Sequence, residues 1–259
     1  VQTNKDIAVE ERAGGEVWVT IERPHKHNAL ARTVLTELGQ AVLAAGARKD
    51  TRFVVLTGAG DRFFAAGGDL VELADVREEA AAIDMAEQSR AALDAVRNCP
   101  VPVLAYLNGD AIGGGAELAL ACDMRMLASH AHIGFIQARL AISSVWGGGV
   151  DLCQLAGGAR AMRMMSRGEL IGAPLALDWG LADAIVSDGP AGADMQAFLK
   201  PLRLCAPQVL RAIKAQTAAW RQGASYEARR AVERQHAIGT WLHEDHWRAS
   251  DAFLARSAK

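Results

Sequence analysis

The chain reads as short runs of apolar and β-branched residues alternating with stretches of helical period. Residues 7–11 and 16–22 predict two strands, joined around Ala13-Gly14-Gly15 as a hairpin. Residues 33–47 predict a helix capped by Thr33, with Val34, Leu35, Leu38, Val42 and Ala45 on its apolar side. Residues 52–58 form a nearly continuous β run, as expected of a strand covered on both faces. The paired Gly67-Gly68 follows, and Asp69 is positioned to cap the next helix. A long helix is expected over 78–97, a buried strand over 101–108, and an Ala/Leu-rich helix after Gly113-Gly114-Gly115. Another strand is expected over 123–128. Strand and helix thus alternate through the first half, the sign of a covered, largely parallel sheet.

Residues 132–139 read as extended, then turning. Trp146-Gly147-Gly148-Gly149 opens a helix to about residue 156. A Met-rich helix over 159–167 uses Met162, Met164 and Met165 as core filler. Pro174 starts a helix that ends near Gly180, and 182–187 is a last short strand. Beyond that only helices are expected, over 195–204, 207–221, 225–239 and 246–255. The shift at Gly189-Pro190-Ala191-Gly192 divides an α/β unit, 1–190, from a helical region, 191–259. A helical tail of that size folds poorly alone, so it should pack on its own core or on a neighbouring subunit.

Composition narrows the partners. With 259 residues a full core is possible, and a formal net charge of -2 gives no reason to expect nucleic acid or an anionic membrane. No apolar run approaches the ~20 residues that span a bilayer, and the first six residues hold no signal-peptide core. Cys99, Cys122, Cys153 and Cys205 are scattered, without a C-x-x-C pair. They predict reduced thiols, a cytoplasmic location and no zinc or other metal site.

The chemistry centres on residues 111–123. Glycines remove side chains where something must approach the backbone, and free amides at a helix start point at it. Glu117, in the first helical turn, is the only charge between Asp110 and Asp123. Amide donors for an anionic oxygen beside a carboxylate are what enolate chemistry on a thioester needs. Taken alone, the same stretch also reads as tight packing with an acid serving the helix dipole. The basic cluster holding Arg23 and Lys26 is either a solvated loop or an anion-binding corner. His236, His243 and His246 fall on the terminal helices and read as surface or interface residues.

The order of motifs resembles the crotonase superfamily, the enoyl-CoA hydratase/isomerase family, over nearly the whole chain. Its marks are Glu22-Arg23-Pro24 with Asn28-Ala29-Leu30, then Phe64-Ala65-Ala66-Gly67-Gly68-Asp69-Leu70. Next come Asn108-Gly109, Gly113-Gly114-Gly115-Ala116-Glu117-Leu118 and Cys122-Asp123, then Trp146-Gly147-Gly148 and Gly180-Leu181-Ala182. The resemblance implies a ββα spiral with a C-terminal helical region, assembled as trimers or paired trimers. It implies an acyl-CoA thioester as substrate, with coenzyme A entering only as part of that substrate and no separate cofactor. By motif position, the Gly68 and Gly114 amides would stabilise the thioester enolate, and Glu117 would be one of the family's two hydratase glutamates. Arg23 and Lys26 would meet the CoA phosphates and Ala66 the adenine. Its neighbours Gly67, Asp69 and Leu70 complete the substrate-binding set, and the acyl pocket would draw on residues 70–87. Phe253 and Lys259 resemble residues that reach a neighbour's CoA site.

At the second glutamate this chain has Gln137, which can hold a water but cannot exchange a proton near neutral pH. Eight residues later Val145 stands where some relatives carry a functional aspartate, which argues against aspartate-dependent dienoyl isomerases, hydrolases and aryl dehalogenases. The leading expectation is hydratase/isomerase chemistry with Glu117 as acid/base. The alternatives are an acyl-CoA decarboxylase using the same oxyanion hole, or a non-catalytic acyl-CoA binder. A catalyst needs Glu117 and a binder does not.

Overall fold

The computed structural model describes residues 2, 3 and 6–257. It opens with β1 (Gln2–Thr3), β2 (Ile7–Arg12) and β3 (Glu16–Ile21), then α1 (Arg32–Ala47). Next come β4 (Phe53–Gly58), β5 (Phe63–Ala65) and α2 (Glu79–Arg97). The unit repeats as β6 (Val103–Leu107), β7 (Asp110–Ile112) and α3 (Gly114–Ala121). It repeats again as β8 (Met124–Ala128), β9 (His132–Gly134), α4 (Gly148–Ala156) and α5 (Gly158–Arg167). There follow β10 (Leu170–Gly172), α6 (Ala173–Asp178) and β11 (Ala184–Val186). Four helices complete the chain: α7 (Ala193–Leu204), α8 (Pro207–Arg221), α9 (Tyr226–Trp241) and α10 (Glu244–Ser257).

Each turn of chain therefore gives one strand to each of two sheets and then a helix. The larger sheet runs β1-β2-β3-β4-β6-β8-β11, and the smaller β10-β9-β7-β5. From β3 to β11 the larger sheet is parallel, as are β5, β7 and β9 in the smaller. This is the expected α/β ββα spiral with a C-terminal helical region. Strands β4 and β6 are buried at every position, which explains their unbroken apolar sequence.

Two buried asparagines hold the corners where the chain passes between sheets. Asn108 Oδ1 accepts from the Gly58 amide at 2.9 Å, while its Nδ2 donates to the Gly60 carbonyl at 2.9 Å. Asn28 Nδ2 donates to the Ala59 and Phe63 carbonyls at 3.0 and 2.7 Å. A Cβ at Gly109 would fall 2.3 Å from the Arg62 carbonyl carbon, so only glycine fits that corner.

Two caps differ from expectation. Helix α1 starts one residue before Thr33, with Ala31 at its N-cap and no side-chain cap there. Its first amide, Arg32 N–H, instead donates to Glu72 Oε2 at 3.1 Å, a partner 40 residues away that no local motif reveals. Asp69 does not cap a long helix. Its Oδ1 accepts from the Val71 amide at 3.3 Å, a short 3₁₀ turn follows over Glu72–Asp75, and α2 begins only at Glu79.

Helices α7 and α8 bury Met195, Leu199 and Leu210, and the buried Lys214 bonds both oxygens of Asp123 at 2.7 Å. No helix among the described residues is long and apolar enough to cross a membrane. All four cysteines are free, and burial pushes the Cys122 thiol up to about 12.

Candidate active site

Strand β7 leads into Gly113, whose φ of 56° and ψ of -117° suit glycine alone, and α3 starts at the next residue. A Cβ at Gly115 would sit 2.0 Å from the Ala65 carbonyl oxygen, so bare backbone lets α3 lie against β5. The same crowding brings two glycine pairs together. A Cβ at Gly67 would lie 3.4 Å from the Gly114 nitrogen. Both pairs abut one indole: a Cβ would fall 2.2 Å from Trp146 Cζ3 at Gly114 and 3.5 Å from Trp146 Cη2 at Gly68.

Both amides of interest are left over by the backbone pattern. Gly114 is the first residue of α3, so its N–H has no acceptor within the helix. Leu30 and Gly68 form a parallel bridge through Leu30 N–H to the Gly67 carbonyl, 2.8 Å, and Asp69 N–H to the Leu30 carbonyl, 3.3 Å. Neither bond uses the Gly68 N–H, which a bridge of this kind turns to the opposite side.

Glu117 is 2% exposed. Its Oε2 accepts from Ser144 Oγ at 2.8 Å and from the Trp146 and Gly148 amides, each at 2.9 Å. The Ser144 hydroxyl is itself oriented, because Oγ accepts the Gly149 amide at 2.9 Å and has its hydrogen free for Glu117. The α4 start comes this close only because a Cβ at Gly148 would meet Glu117 Cγ at 2.4 Å. The Gln137 Nε2 donates to Glu117 Oε1 at 3.0 Å. Oε2 is thus saturated, whereas Oε1 keeps one acceptor position. The same bond fixes the Gln137 amide, since a carboxylate oxygen cannot donate to it. Gln137 Oε1 then faces away from Glu117, buried and without a partner.

Gly68, Gly114, Glu117 and Gln137 share a cavity of about 140 Å³. Leu70, Leu73 and Met85 line it, from the segment expected to form the acyl pocket. Leu140, Ile142 and Val145 line it too, from a segment that the sequence did not indicate. Ser144 and the Trp146 and Gly148 amides were also missed. The only signal for them was the glycine run at the start of α4.

Ala66 and Gly67 line the cavity too, but Arg23, Lys26 and Asp69 do not. They form a cluster of their own that pins the loop after β5. Arg23 is buried, with Nη2 3.1 Å from Asp69 Oδ2, Nη1 on the Ala29 carbonyl and Nε 3.7 Å from Asp6. Lys26 Nζ, on a half-exposed side chain, stands 3.6 Å from the same Asp69 oxygen. Burial pushes the Asp69 carboxyl upward, yet the Arg23 hydrogen bond and the Lys26 and Arg23 charges together hold it below the usual carboxylate range. The Ala66 amide donates to the His27 carbonyl at 3.1 Å. His236, His243 and His246 sit on or between α9 and α10, outside the cavity, and Phe253 is exposed on α10. Lys259 lies outside the described residues.

The chain is similar to known proteins along nearly its whole length. The enoyl-CoA hydratase/isomerase family model matches residues 11–257. Carnitinyl-CoA dehydratase of Escherichia coli K12 is 34% identical over 203 residues, 78% of this chain and 77% of the relative. The putative enoyl-CoA hydratase/isomerase YngF of Bacillus subtilis is 34% identical over 171 residues, and the match spans 65% of each chain. Among solved structures, an enoyl-CoA hydratase from Bacillus anthracis superposes with a TM-score of 0.89 at 29% identity, covering 97% of both chains. DspI of Pseudomonas aeruginosa gives the same TM-score and identity over 99% of this chain and 96% of its own. The chain therefore belongs to the enoyl-CoA hydratase/isomerase family, the crotonase superfamily, and is an acyl-CoA-processing enzyme of the lyase/isomerase kind.

Proposed function

We propose that this protein is an enoyl-CoA hydratase/isomerase in which Glu117 is the single acid/base and the Gly68 and Gly114 amides form the oxyanion hole. The observation that carries this reading is the Glu117 carboxylate, buried at the cavity wall with four donors on it and one acceptor position left. The two amides suit a thioester carbonyl whose oxygen gains charge as an enolate forms. An amide donor of this kind is worth about 3–4 kcal/mol of barrier.

Hydration follows with one carboxylate. A water gives one hydrogen to Glu117 Oε1, beside the Gln137 amide, leaving a lone pair for the substrate Cβ. As the C–O bond forms, Glu117 takes the first proton and the electrons of the double bond move onto the thioester oxygen. Glu117 then returns that proton to Cα and the carbonyl reforms. The proton lost by water is the proton gained by carbon, so no second acid is needed. Isomerisation would use the same Glu117 to move a proton between Cα and Cγ.

For the CoA moiety, the half-exposed Lys26 is the residue we assign to a phosphate, with Arg23 and Asp69 holding the loop beneath it. Gly67 and Ala66 bring backbone, and Leu70 an apolar side chain, to the thioester end. Self-association as a trimer or hexamer completes the reading.

The test is loss of the conjugated thioester band of crotonyl-CoA. Wild type should consume it, and Glu117→Gln should be slower by about 10²–10⁴-fold, with thioester affinity unchanged within several-fold. Turnover surviving in Glu117→Gln would remove the residue from the mechanism. A wild type that binds the thioester without consuming the band would shift the reading to isomerisation or decarboxylation.

A further inference from the structure

Behind Glu117, on the far side of the 146–148 turn, three charged side chains meet that take no part in the chemistry above. Arg97 is the last residue of α2, Asp151 lies in the first turn of α4, and Arg221 is the last residue of α8. Arg97 Nη2 donates to Asp151 Oδ2 at 2.8 Å and to the Trp146 carbonyl at 3.2 Å, and its Nε reaches the same Oδ2 at 3.1 Å. Arg221 Nε donates to the other oxygen, Asp151 Oδ1, at 3.1 Å. Its remaining nitrogens reach the Ala121 carbonyl at 2.8 Å and the Leu120 carbonyl. All three side chains are mostly buried, at 12%, 5% and 18% exposure for Arg97, Asp151 and Arg221.

We propose that Arg97, Asp151 and Arg221 form a positioning clamp that holds the Trp146 and Gly148 amides on the Glu117 carboxylate. This rests on the reading of Glu117 as acid/base. The connectivity carries it. Trp146 faces both ways, with its N–H on Glu117 and its carbonyl on Arg97. Gly148 opens α4, and Asp151 in the same turn is fixed by two guanidinium groups. Arg221 also holds the last carbonyls of α3, the helix whose first turn carries Gly114 and Glu117. The clamp therefore grips the tail of one helix and the head of the next, with Glu117 between them. A buried ion pair gives little net stability against an apolar replacement, but it does fix geometry. The arginines suit this, since a planar fork reaches a carboxylate and a carbonyl at once.

Other charges leave this role to the triad. Helix α3 carries no charged side chain but Glu117. On α2, Asp94 is tied to Arg97 at 2.7 Å, and Glu79, Asp84, Glu87 and Arg90 are exposed. On β7, Asp110 bonds His132, and on the turn after β9 the Arg139 guanidinium is on the Gly168 carbonyl at 2.6 Å.

The experiment uses Arg97→Lys and Arg221→Lys, which keep the charge beside Asp151 but lose the fork. The readout is exchange of the Cα hydrogen of butyryl-CoA in D₂O, which needs only a base and the two oxyanion amides. Each variant should lower the maximal exchange rate by about 10–100-fold, the scale of a misplacement near 1 Å, with KM for the thioester unchanged within about twofold. In a Glu117→Gln background neither substitution should cost anything further, because the clamp acts only through that carboxylate. A folded lysine variant exchanging at the wild-type rate would overturn the clamp, as would an equal loss in the Glu117→Gln background. Wild-type exchange surviving in Glu117→Gln alone would instead overturn the assignment of Glu117, and the clamp with it.

Discussion

On the mechanism we propose, Glu117 and Gln137 divide between them what two carboxylates would do together. Gln137 keeps a polar group on Glu117, its Nε2 donating to Oε1, but has no proton to exchange near neutral pH. Gln137→Glu restores a second group able to exchange protons, 3.0 Å from Glu117 Oε1. Hydration of crotonyl-CoA should then rise by at least about tenfold, a modest share of the gain typical of a positioned acid. The check is kcat for both forms under one buffer, and no gain would mean that the surrounding donors suit a single base only. This part of the site was legible in sequence because a lone acid in an apolar run after three glycines is visible there. The donors on Glu117 Oε2 were not. Two of the three are backbone amides, and their aim depends on how the 144–148 turn folds, which no side-chain pattern records.

Between elements, the Arg23–Asp69 pair joins the turn before α1 to the loop after β5 that carries Gly67 and Gly68. Both side chains are less than a tenth exposed. Asp69→Asn should destabilise the fold at neutral pH by about 3 kcal/mol, the low end for stripping a buried pair of one partner, since Asp6 stays 3.7 Å from Arg23. The pH dependence has a definite sign. The folded-state carboxyl is held below its ordinary value. Its contribution is therefore complete above the unfolded value, near 4, and is lost as pH falls through the folded one. Melting curves of wild type and variant should converge as pH drops below about 4, and a gap that widened there would contradict the pairing.

The loop itself illustrates what pattern can carry. The six-residue strands β3 and β4 are long enough for an apolar run to declare them, and β6 at five residues still does. Strands β5, β7, β9 and β10 have three residues each, too few for any period, so the second sheet was not visible as a sheet. Its existence followed only from the resemblance, on motifs such as Asn28 and Asn108 whose side chains build the corners.

At the scale of the molecule, α9 and α10 bury no side chain against the rest of the chain among the described residues. They and the turn between them nonetheless carry Trp241, Leu242, Trp247, Phe253 and Leu254, each about half exposed or more. Trp241, His246 and Trp247 pack against one another, two of the three ring pairs edge-on, with ring centroids 4.6 to 6.2 Å apart. So many exposed apolar side chains on two neighbouring helices make a surface in want of a cover. A second copy of the chain is the cover that fits the proposed trimer or hexamer, and a stable interface of about 800 Å² per partner would take in most of these side chains. Light scattering after gel filtration should therefore give three or six times 27.5 kDa. Trp247→Glu combined with Leu254→Glu sets a charge into that face and should lower the mass at micromolar concentration. The ββα core should keep its circular dichroism. A wild-type mass of 27.5 kDa would sink the proposal. A double variant that stayed fully assembled would move the interface away from α10, and with it any residue of that helix from a neighbour's thioester site.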